Sequence, residues 1–435
     1  MRFLLIHFRT IFMVNVFFLG PTTLHRLSAA DTAPKGPLTG LPSTPGPHLE
    51  KIKMLGENQW LNLGSPAPDP KWGKGRGRSW GCRMPYAPEL RAAFLFGEGV
   101  HGWYNKQNNR YMDDLFAYDI NAHRWICVYP GADVKNIALK MDANGFEVDN
   151  NGQPIPVAQM VHGYEQITYD TERRKFMFMP RSSGEWKPNL GERRNTWGGG
   201  YPWPFEPTQC SPWMYNVVTG KFELLKTQVA APLSSGNVGV VTYIPSMKKL
   251  FYWRGAADDA WLYDPQANTW SHLAPKGPPP PFGIDASACL DLKRERIYIG
   301  GGYYPLSIGS HAFWCYDLKT NAWLDLQPKG KPCGGDNRYG PNQAVMNYDS
   351  VNDVVVLIFH TDDQVPVGSN KGRGIYVYDP AKNSWSETAQ AIPKEFTLCA
   401  NSFYSAELNG HFIHVAGDSE DNGVMWVYRF KPAKK

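Results

Sequence analysis

Apolar and polar positions alternate along this chain in short runs, and the apolar runs are rich in aromatic residues. Four segments share one outline, FAYDINAHRW (116–125), WLYDPQANTW (261–270), WCYDLKTNAW (314–323) and YVYDPAKNSW (376–385). Each contains an aromatic-rich run, a Tyr-Asp pair, a polar turn and a tryptophan. Aromatic-rich runs bounded by turn residues are typical of β-strands. The outline therefore predicts a strand, a hairpin turn and a second strand in every copy.

The spacing within these hairpins is constant. An aromatic residue follows the tyrosine after seven positions in five places: Tyr118/Trp125, Tyr215/Phe222, Tyr263/Trp270, Tyr316/Trp323 and Tyr378/Trp385. Four positions after the Asp or Asn that follows each tyrosine stand His123, Gly220, Asn268, Asn321 and Asn383. Glycine and asparagine adopt the left-handed backbone conformation most easily, and histidine is enriched there as well. We therefore predict a left-handed residue in each turn.

The hairpins belong to longer repeats. Two further strands precede each Tyr-Asp strand, as in NVGVVTYIPSMKKLFYWRG and ASACLDLKRERIYIGGG. Four strands per repeat predict the blades of a β-propeller, and the fold class is all-β. The last repeat supplies three strands, whereas QWLNLGS around Trp60 has the pattern of an outer strand with no strands before it. We expect this first strand to complete the last blade, because closure of the ring of six removes exposed sheet edges.

The Tyr-Asp-x6-Trp register, the glycine-ended second strands and a repeat length near 50 resemble kelch repeats. The resemblance covers roughly residues 59–435. Among kelch propellers, this part of the chain resembles the central domain of the galactose oxidase family. It implies a six-bladed kelch-type β-propeller closed by an N-terminal strand in the last blade. That family holds copper with two tyrosines and two histidines, including one adjacent Tyr-His pair. No tyrosine and histidine are adjacent here, so we predict no metal and no other cofactor.

The N-terminal segment has the pattern of an export signal. Residues 1–30 begin with Arg2 and Arg9, continue with a short apolar stretch and end in Ser-Ala-Ala. The stretch is shorter than the roughly 20 residues of a membrane-spanning helix, so we expect no membrane span in the mature chain. We predict a signal peptide at 1–30, a Pro/Gly-rich linker at 31–58 and the propeller at 59–435. The protein would then be secreted or periplasmic.

Net charge argues against one class of partner. The whole chain has a formal charge of +5, and removal of the three arginines in residues 1–30 lowers it to +2. A nucleic-acid-binding domain of this size typically carries a much stronger positive charge. We therefore predict no nucleic-acid partner.

Candidate ligand residues cluster where the propeller topology predicts a channel mouth. The loops that enter the inner strands and the loops that leave the second strands lie on one face around the central channel. The loops that enter supply His162, Asn237, Asp285, Arg338, Tyr339, Asn342 and Asn401, and the loops that leave supply His101, Arg181, Arg254, His360, Asp362 and Asp418. Arginine can hold a carboxylate and aspartate can accept hydrogen bonds from sugar hydroxyls. The alternatives are backbone hydrogen bonds at the strand entrances and solvated loop charges.

The second repeat carries two insertions on this face. The first, residues 130–162, contains MDANGFEVDNNGQPI, whose Asn-Gly pairs predict an extra hairpin. The second insertion is rich in aromatic residues and contains Trp186, Trp197 and Trp203. A loop of this length and composition is usually functional. Its rings could stack on the apolar face of a sugar, or they could form a small core that holds the insertion in place.

These features together predict a propeller that binds a glycan or a similar polar ligand at the channel mouth without chemistry. A protein-binding scaffold is one alternative. A carbohydrate-active enzyme is another, either a galactose oxidase-like oxidoreductase or a sialic acid mutarotase-like isomerase. In the isomerase, Arg181, Arg254 and Arg338 would hold the sugar carboxylate. Glu98, Glu165, Glu185, Asp285 and Asp362 are candidate acids and bases, but sequence fixes no pair among them and we assign no catalytic residue.

Overall fold

The strands assemble into six small antiparallel sheets that form the blades of a β-propeller. The computed structural model describes residues 36–78, 83–96, 104–105, 110–111, 114–131, 137–141, 147–149, 152, 165–179, 212–228, 239–255, 260–281, 287–300, 313–330, 345–359, 374–396, 400–416 and 422–433. Within these residues the one helix, α1, spans His48–Lys53. The predicted all-β class and the six-bladed fold are confirmed.

The strands follow the chain from the first segment through the first three blades. The first strand is β1 (Gln59–Gly64). Blade one contains β2 (Tyr86–Ala87), β3 (Ala92–Phe96), β6 (Leu115–Asp119) and β7 (Arg124–Tyr129). Blade two contains β10 (Ile167–Asp170), β11 (Lys175–Phe178), β12 (Trp213–Asn216) and β13 (Lys221–Leu224). Blade three contains β14 (Val240–Ile244), β15 (Lys249–Trp253), β16 (Ala260–Asp264) and β17 (Thr269–His272).

The remaining blades continue in the same order. Blade four contains β18 (Ser287–Asp291), β19 (Arg296–Gly300), β20 (Phe313–Asp317) and β21 (Ala322–Asp325). Blade five contains β22 (Val345–Asp349), β23 (Val354–Phe359), β24 (Gly374–Asp379) and β25 (Ser384–Glu387). Blade six contains β26 (Ala400–Ser405), β27 (Gly410–Val415), β28 (Val424–Arg429) and β1. Two short hairpins form separate two-stranded sheets outside the blades: β4 (Tyr104–Asn105) with β5 (Arg110–Tyr111), and β8 (Ile137–Met141) with β9 (Glu147–Asp149). The second hairpin confirms the prediction for residues 130–162.

The two ends of the chain close the ring in blade six. Strand β1 pairs with β28 in antiparallel register, and Trp60 lies opposite Tyr428. The Trp60 and Trp426 rings lie edge to face with 6.3 Å between their centroids. The Tyr428 hydroxyl donates a 2.7 Å hydrogen bond to Asn58, which has a left-handed backbone with φ of 52°. The predicted closure is confirmed, and it rebuilds the Tyr-Asn-Trp arrangement of the internal hairpins from both ends of the chain.

The repeated hairpins have the predicted geometry. Each motif tyrosine lies opposite its motif tryptophan or phenylalanine, as Tyr316 lies opposite Trp323. The turn residues with positive φ are His123 (50°), Gly220 (66°), Asn268 (49°), Asn321 (52°) and Asn383 (49°). Each turn asparagine also links two blades. The Tyr378 hydroxyl donates to Asn383 at 2.9 Å, and the Asn383 amide donates 2.6 Å to the Leu326 carbonyl of the preceding blade.

Among the described residues, the hydrophobic core forms six clusters, one at each interface between neighbouring blades. Between blades one and two, Phe94, Phe176 and Trp213 are fully or almost fully buried. The aromatic residues alternate along the strands, so each blade presents one apolar face to each neighbour. Burial of a large apolar side chain contributes about 1.5–3 kcal/mol, which makes the blade interfaces the main source of stability.

The segment before β1 packs against the propeller over residues 36–58. Leu38 joins the cluster between blades one and two, while Leu49 and Ile52 join the cluster between blades six and one. The Arg429 guanidinium donates 2.9 and 2.6 Å hydrogen bonds to the Lys53 and Leu55 carbonyls. The segment therefore differs from a free linker, because apolar residues are spaced between its prolines. Among the described residues, no helix is long and apolar enough to cross a membrane.

Ion pairs connect the first hairpin turns of neighbouring blades. Lys248 lies 2.7 Å from Glu172 between blades three and two, and Arg91 lies 2.9 Å from Glu407 between blades one and six. At least one side chain of each pair is well exposed, so solvent screens these pairs and they add little to stability. Their main consequence is electrostatic, since they neutralise charges around the rim at this end of the propeller.

Candidate functional site

The innermost strands of the six blades surround the central channel. They are β2, β10, β14, β18, β22 and β26. Isolated parallel bridges connect neighbouring inner strands, between Arg83 and Ser402 and between Glu165 and Val240. We call the end where each inner strand enters its first hairpin turn the turn side of the channel. The opposite end, where the chain enters each inner strand, is the side of the predicted mouth.

Arg83 crosses the channel from blade one. Its Nε lies 2.7 Å from the Glu165 carboxylate at the start of the blade-two inner strand. Its Nη1 donates a 3.1 Å hydrogen bond to the Val241 carbonyl of blade three, and its Nη2 donates 2.8 Å to the Ala288 carbonyl of blade four. One guanidinium therefore connects four of the six blades. The planar five-donor group of arginine suits this arrangement, because its donors point in several fixed directions.

Glu165 is the acidic partner in this pair. Only 4% of its side chain is exposed, against 16% for Arg83. Burial raises the pKa of Glu165 from 4.5 to about 7, while Arg83 and the Ala288 amide act in the opposite direction. The cost of removing a carboxylate from water therefore exceeds the stabilisation from its partners. The channel thus contains a permanent positive charge beside a carboxyl group whose pKa lies well above its ordinary value.

A cavity of about 390 Å³ occupies the turn side of the channel. All six inner strands contribute to it, and Arg83 forms part of its inner wall. At the outer end it is lined by turn residues that include Pro245, Leu292 and Ser350, which are exposed. We call this cavity the turn-side chamber. Its location, at the centre of the ring, is a common place for small ligands in propellers and barrels.

Tyrosine rings form much of the wall of the turn-side chamber. The next-to-last residue of the inner strand is a tyrosine in five blades: Tyr86, Tyr169, Tyr243, Tyr348 and Tyr404. Their hydroxyls bind neighbouring side chains. Tyr348 donates a 2.9 Å hydrogen bond to Asp353, and Tyr404 donates 2.8 Å to Asp349. These two aspartates do not line the chamber, so the rings of Tyr348 and Tyr404 contribute mainly apolar surface to it.

Several polar groups that line the chamber also bind each other. The Asn347 amide donates a 2.8 Å hydrogen bond to the Ser402 hydroxyl, and Thr168 Oγ1 accepts a 3.0 Å bond from the Tyr243 amide. These pairs connect inner strands of neighbouring blades. Because these groups already bind each other, the wall has few polar groups left to bind a ligand inside the chamber.

The structure describes two of the predicted site residues. Arg254 follows β15 directly and is half-buried. Asn401 is 1% exposed and lies within β26, opposite His414 of β27, so it is part of the strand rather than of the loop that enters it. Counted back from the inner-strand tyrosine, Asn401 shares the position of Arg83. The other predicted residues lie outside the described residues: His101, His162, Arg181, Trp186, Trp197, Trp203, Asn237, Asp285, Arg338, Tyr339, Asn342, His360, Asp362 and Asp418.

Sequence reasoning assigned no role to Arg83, and it named Glu165 only among many candidate acids. The sequence does contain a signal that singles out Arg83. Three residues before the inner-strand tyrosine, blade one has Arg83, whereas the equivalent residues are uncharged in the other blades, as Val240 and Val345 illustrate. A single charge at a position that is otherwise uncharged in every repeat indicates a special role. No group of histidine, cysteine, aspartate or glutamate that could hold a metal occurs in the described part of the chain.

Comparisons with known proteins give distant similarities. No family model matches the chain. A segment of 163 residues is 28% identical to N-acetylneuraminate epimerase from Yersinia enterocolitica and covers 38% of this chain. The match spans 32% of the length of that relative.

Two solved structures align with most of this chain at low sequence identity. An auxiliary nutrient binding protein from Bacteroides thetaiotaomicron has a TM-score of 0.47 at 11% identity, covering 86% of this chain and 77% of its own. A second such protein, from Bacteroides ovatus, has a TM-score of 0.40 at 11% identity, with the same coverage of both chains. Likeness at this level carries no argument about function.

Proposed function

We propose that this chain is an exported propeller that binds an acidic sugar or a similar polar ligand in its central channel, from the side of the predicted mouth. The observation that carries the proposal is Arg83, a guanidinium that crosses the channel beside the buried Glu165. Buried charges act more strongly than exposed ones, because the surroundings screen them less. A channel that contains a fixed positive charge favours an anionic ligand over a neutral one.

Two further observations support a sugar as the ligand. The sequence places aromatic residues, arginines and carboxylates in the loops of the predicted mouth, and this mixture suits a ring with hydroxyls and one acidic group. The similarity to N-acetylneuraminate epimerase, an enzyme named for an acidic sugar, favours the same ligand class. Because the match spans 32% of that relative, activity and substrate are proposals for this chain.

The proposal is tested with N-acetylneuraminate and its neutral methyl ester by isothermal titration calorimetry. We expect the acid to bind with at least about tenfold higher affinity than the ester, which corresponds to about 1.4 kcal/mol. Trp197→Ala and Arg254→Ala should each weaken binding, as well as retention on a glycan array. Lys382→Ala is the control, because Lys382 is 77% exposed in an outer hairpin turn. Unchanged affinity in both mouth variants would reject this site.

An enzyme is the second candidate function, and Glu165 favours it. A carboxyl group with a pKa raised to about 7 can donate and accept a proton at neutral pH. Beside Arg83, it is suited to proton transfer on a bound sugar, as in an isomerase. The rate at which the anomers of N-acetylneuraminate interconvert, followed by NMR, separates the two functions. Acceleration by the wild-type protein that is lost in Glu165→Gln would show an enzyme, whereas binding with no acceleration supports the non-catalytic propeller.

A further inference from the structure

We propose that the turn-side chamber is a second binding site, which takes a small organic carboxylate with an aromatic or short hydrocarbon body. The carboxylate would meet Arg83 at the inner wall, and the apolar body would pack against the tyrosine rings. This site lies at the opposite end of the channel from the predicted mouth. It does not depend on the sugar-binding function proposed above.

The dimensions and the opening of the chamber fit such a ligand. A volume of about 390 Å³ lies at the lower end of the range of typical small-molecule pockets. The outer end is formed by hairpin turns, where Leu292 is 53% exposed. A leucine exposed at the rim of a cavity costs free energy in water and becomes partly covered when an apolar ligand enters. The chamber is therefore accessible from solvent at its turn side.

The wall chemistry favours an apolar body over a sugar. The hydroxyls of Tyr348 and Tyr404 donate to carboxylates outside the chamber, and Asn347 is hydrogen-bonded to Ser402. A pyranose that entered would lose hydrogen bonds from its hydroxyls to water and regain few of them. An aromatic or aliphatic body loses none, and it gains contact with ring faces.

The charge of the chamber favours a carboxylate. Arg83 is the charged residue among the residues that line it, all of which are described. The Val241 carbonyl accepts one hydrogen bond from Nη1 of Arg83, and the Ala288 carbonyl accepts one from Nη2. A guanidinium has five N–H groups. Within the described residues, N–H groups of Arg83 thus remain for a ligand oxygen. A charge-assisted hydrogen bond of this kind is roughly twice as strong as a neutral one.

The direct test uses 3-phenylpropionate as the probe and 3-phenylpropionamide as its neutral counterpart. We expect calorimetry to give one saturable site for the carboxylate, with a dissociation constant of roughly millimolar or lower. The amide should bind at least about tenfold more weakly, since it lacks the charge. Equal affinities for the two compounds, or no saturable binding of the carboxylate, would overturn the proposal.

Two surface variants locate the site without disturbing the core. Leu292→Asp places a negative charge at the rim and should weaken 3-phenylpropionate binding by roughly threefold or more at low salt. Val218→Asp is the matched control, because Val218 is 63% exposed in the outer hairpin turn of blade two. It should leave the affinity unchanged. Equal effects of the two variants would place the probe elsewhere on the surface.

Arg83→Met provides a second measurement, and it should abolish the preference for the carboxylate over the amide. Because Arg83 connects four blades, an unfolding curve first shows whether this variant is folded. If it does not fold, Leu292→Asp and its control Val218→Asp still decide the question. N-acetylneuraminate binding should be unaffected by Leu292→Asp, so failure of the chamber proposal and failure of the sugar-binding proposal give different results.

Discussion

At the level of single residues, Glu165 is the group whose chemistry the fold changes most clearly within the channel. The pKa of its carboxyl group is about 7 in the folded chain, against an ordinary value of 4.5. Between these values the unfolded chain loses the proton while the folded chain keeps it. The unfolded state is therefore stabilised as the pH rises through this window, and the folded protein loses stability from about pH 4.5 to about pH 7.

Replacement of Glu165 by glutamine removes this titration. The free energy of unfolding of Glu165→Gln, minus that of the wild type, should become more positive between pH 4.5 and pH 8, by on the order of 3 kcal/mol at most. Urea unfolding at the two pH values measures the difference. A difference that does not change with pH would show that the Glu165 carboxyl group titrates normally.

The sequence alone revealed the roles of motif residues but not that of Arg83. The turn asparagines occur at a constant spacing, and the left-handed backbone that each turn needs is a local signal that sequence carries. Arg83 acts through carbonyl groups of Val241 and Ala288, which lie more than a hundred residues away in sequence. Such contacts exist only after the ring closes. Asn401 was placed at a loop by sequence alignment, and the β26 ladder shows that the alignment was shifted along the strand.

At the level of elements, the hairpin between the third and fourth strands of a blade makes both local and inter-blade interactions. In blade four, Asn321 has a φ of 52° and its side-chain oxygen accepts a hydrogen bond from the Tyr316 hydroxyl. Its side-chain amide donates a 2.6 Å hydrogen bond to the Leu273 carbonyl of blade three. Blade two has Gly220 at this position. A Cβ atom there would lie 2.8 Å from the Gly36 Cα atom. The packed N-terminal segment therefore explains why this blade lacks the asparagine.

The two contributions of Asn321 can be separated by substitution. Asn321→Ala should lower the free energy of unfolding by about 2–3 kcal/mol, because it combines left-handed strain with loss of the inter-blade hydrogen bond. Asn321→Gly keeps the backbone conformation available and should cost about 1 kcal/mol less. Urea unfolding of both variants provides the measurement. Equal stability of the alanine variant and the wild type would show that neither contribution matters.

A clash should make Gly220 intolerant of a side chain. Gly220→Asn introduces the residue that the other blades prefer, yet it should destabilise the protein by more than about 1 kcal/mol, since backbone atoms of Gly36 must move. Deletion of residues 1–40 should relieve this penalty, and thermal unfolding of the single and combined variants measures it. If Gly220→Asn were stabilising, the segment around Gly36 would not pack at blade two.

At the level of the whole molecule, the ring depends on a strand from the start of the chain. Strand β1 is the outer strand of blade six, and its Trp60 ring contacts Phe396 with 5.1 Å between centroids. The pattern around Trp60 was sufficient to predict this closure, because an outer strand without a blade has one place in a closed ring. The packing of residues 36–58 was not predicted, because the few apolar residues that anchor this proline-rich segment form no regular pattern.

Removal of β1 should open this blade. A chain that begins at residue 65 exposes the edge of β28, and we expect a lower unfolding temperature and concentration-dependent association in light scattering. A chain that begins at residue 57 keeps β1 and is the matched control. It should remain a monomer under the same conditions if the wild type does. Identical behaviour of the two truncated chains would show that β1 is dispensable for closure.

The channel around Arg83 and Glu165 is the proposed ligand site of this propeller. A crystal structure of the protein soaked with N-acetylneuraminate tests it most directly. We expect the sugar inside the channel, on the side of the predicted mouth, with its carboxylate facing the Arg83 guanidinium. A sugar bound on the outer surface of the blades, or a channel without sugar at concentrations that saturate binding in solution, would contradict it.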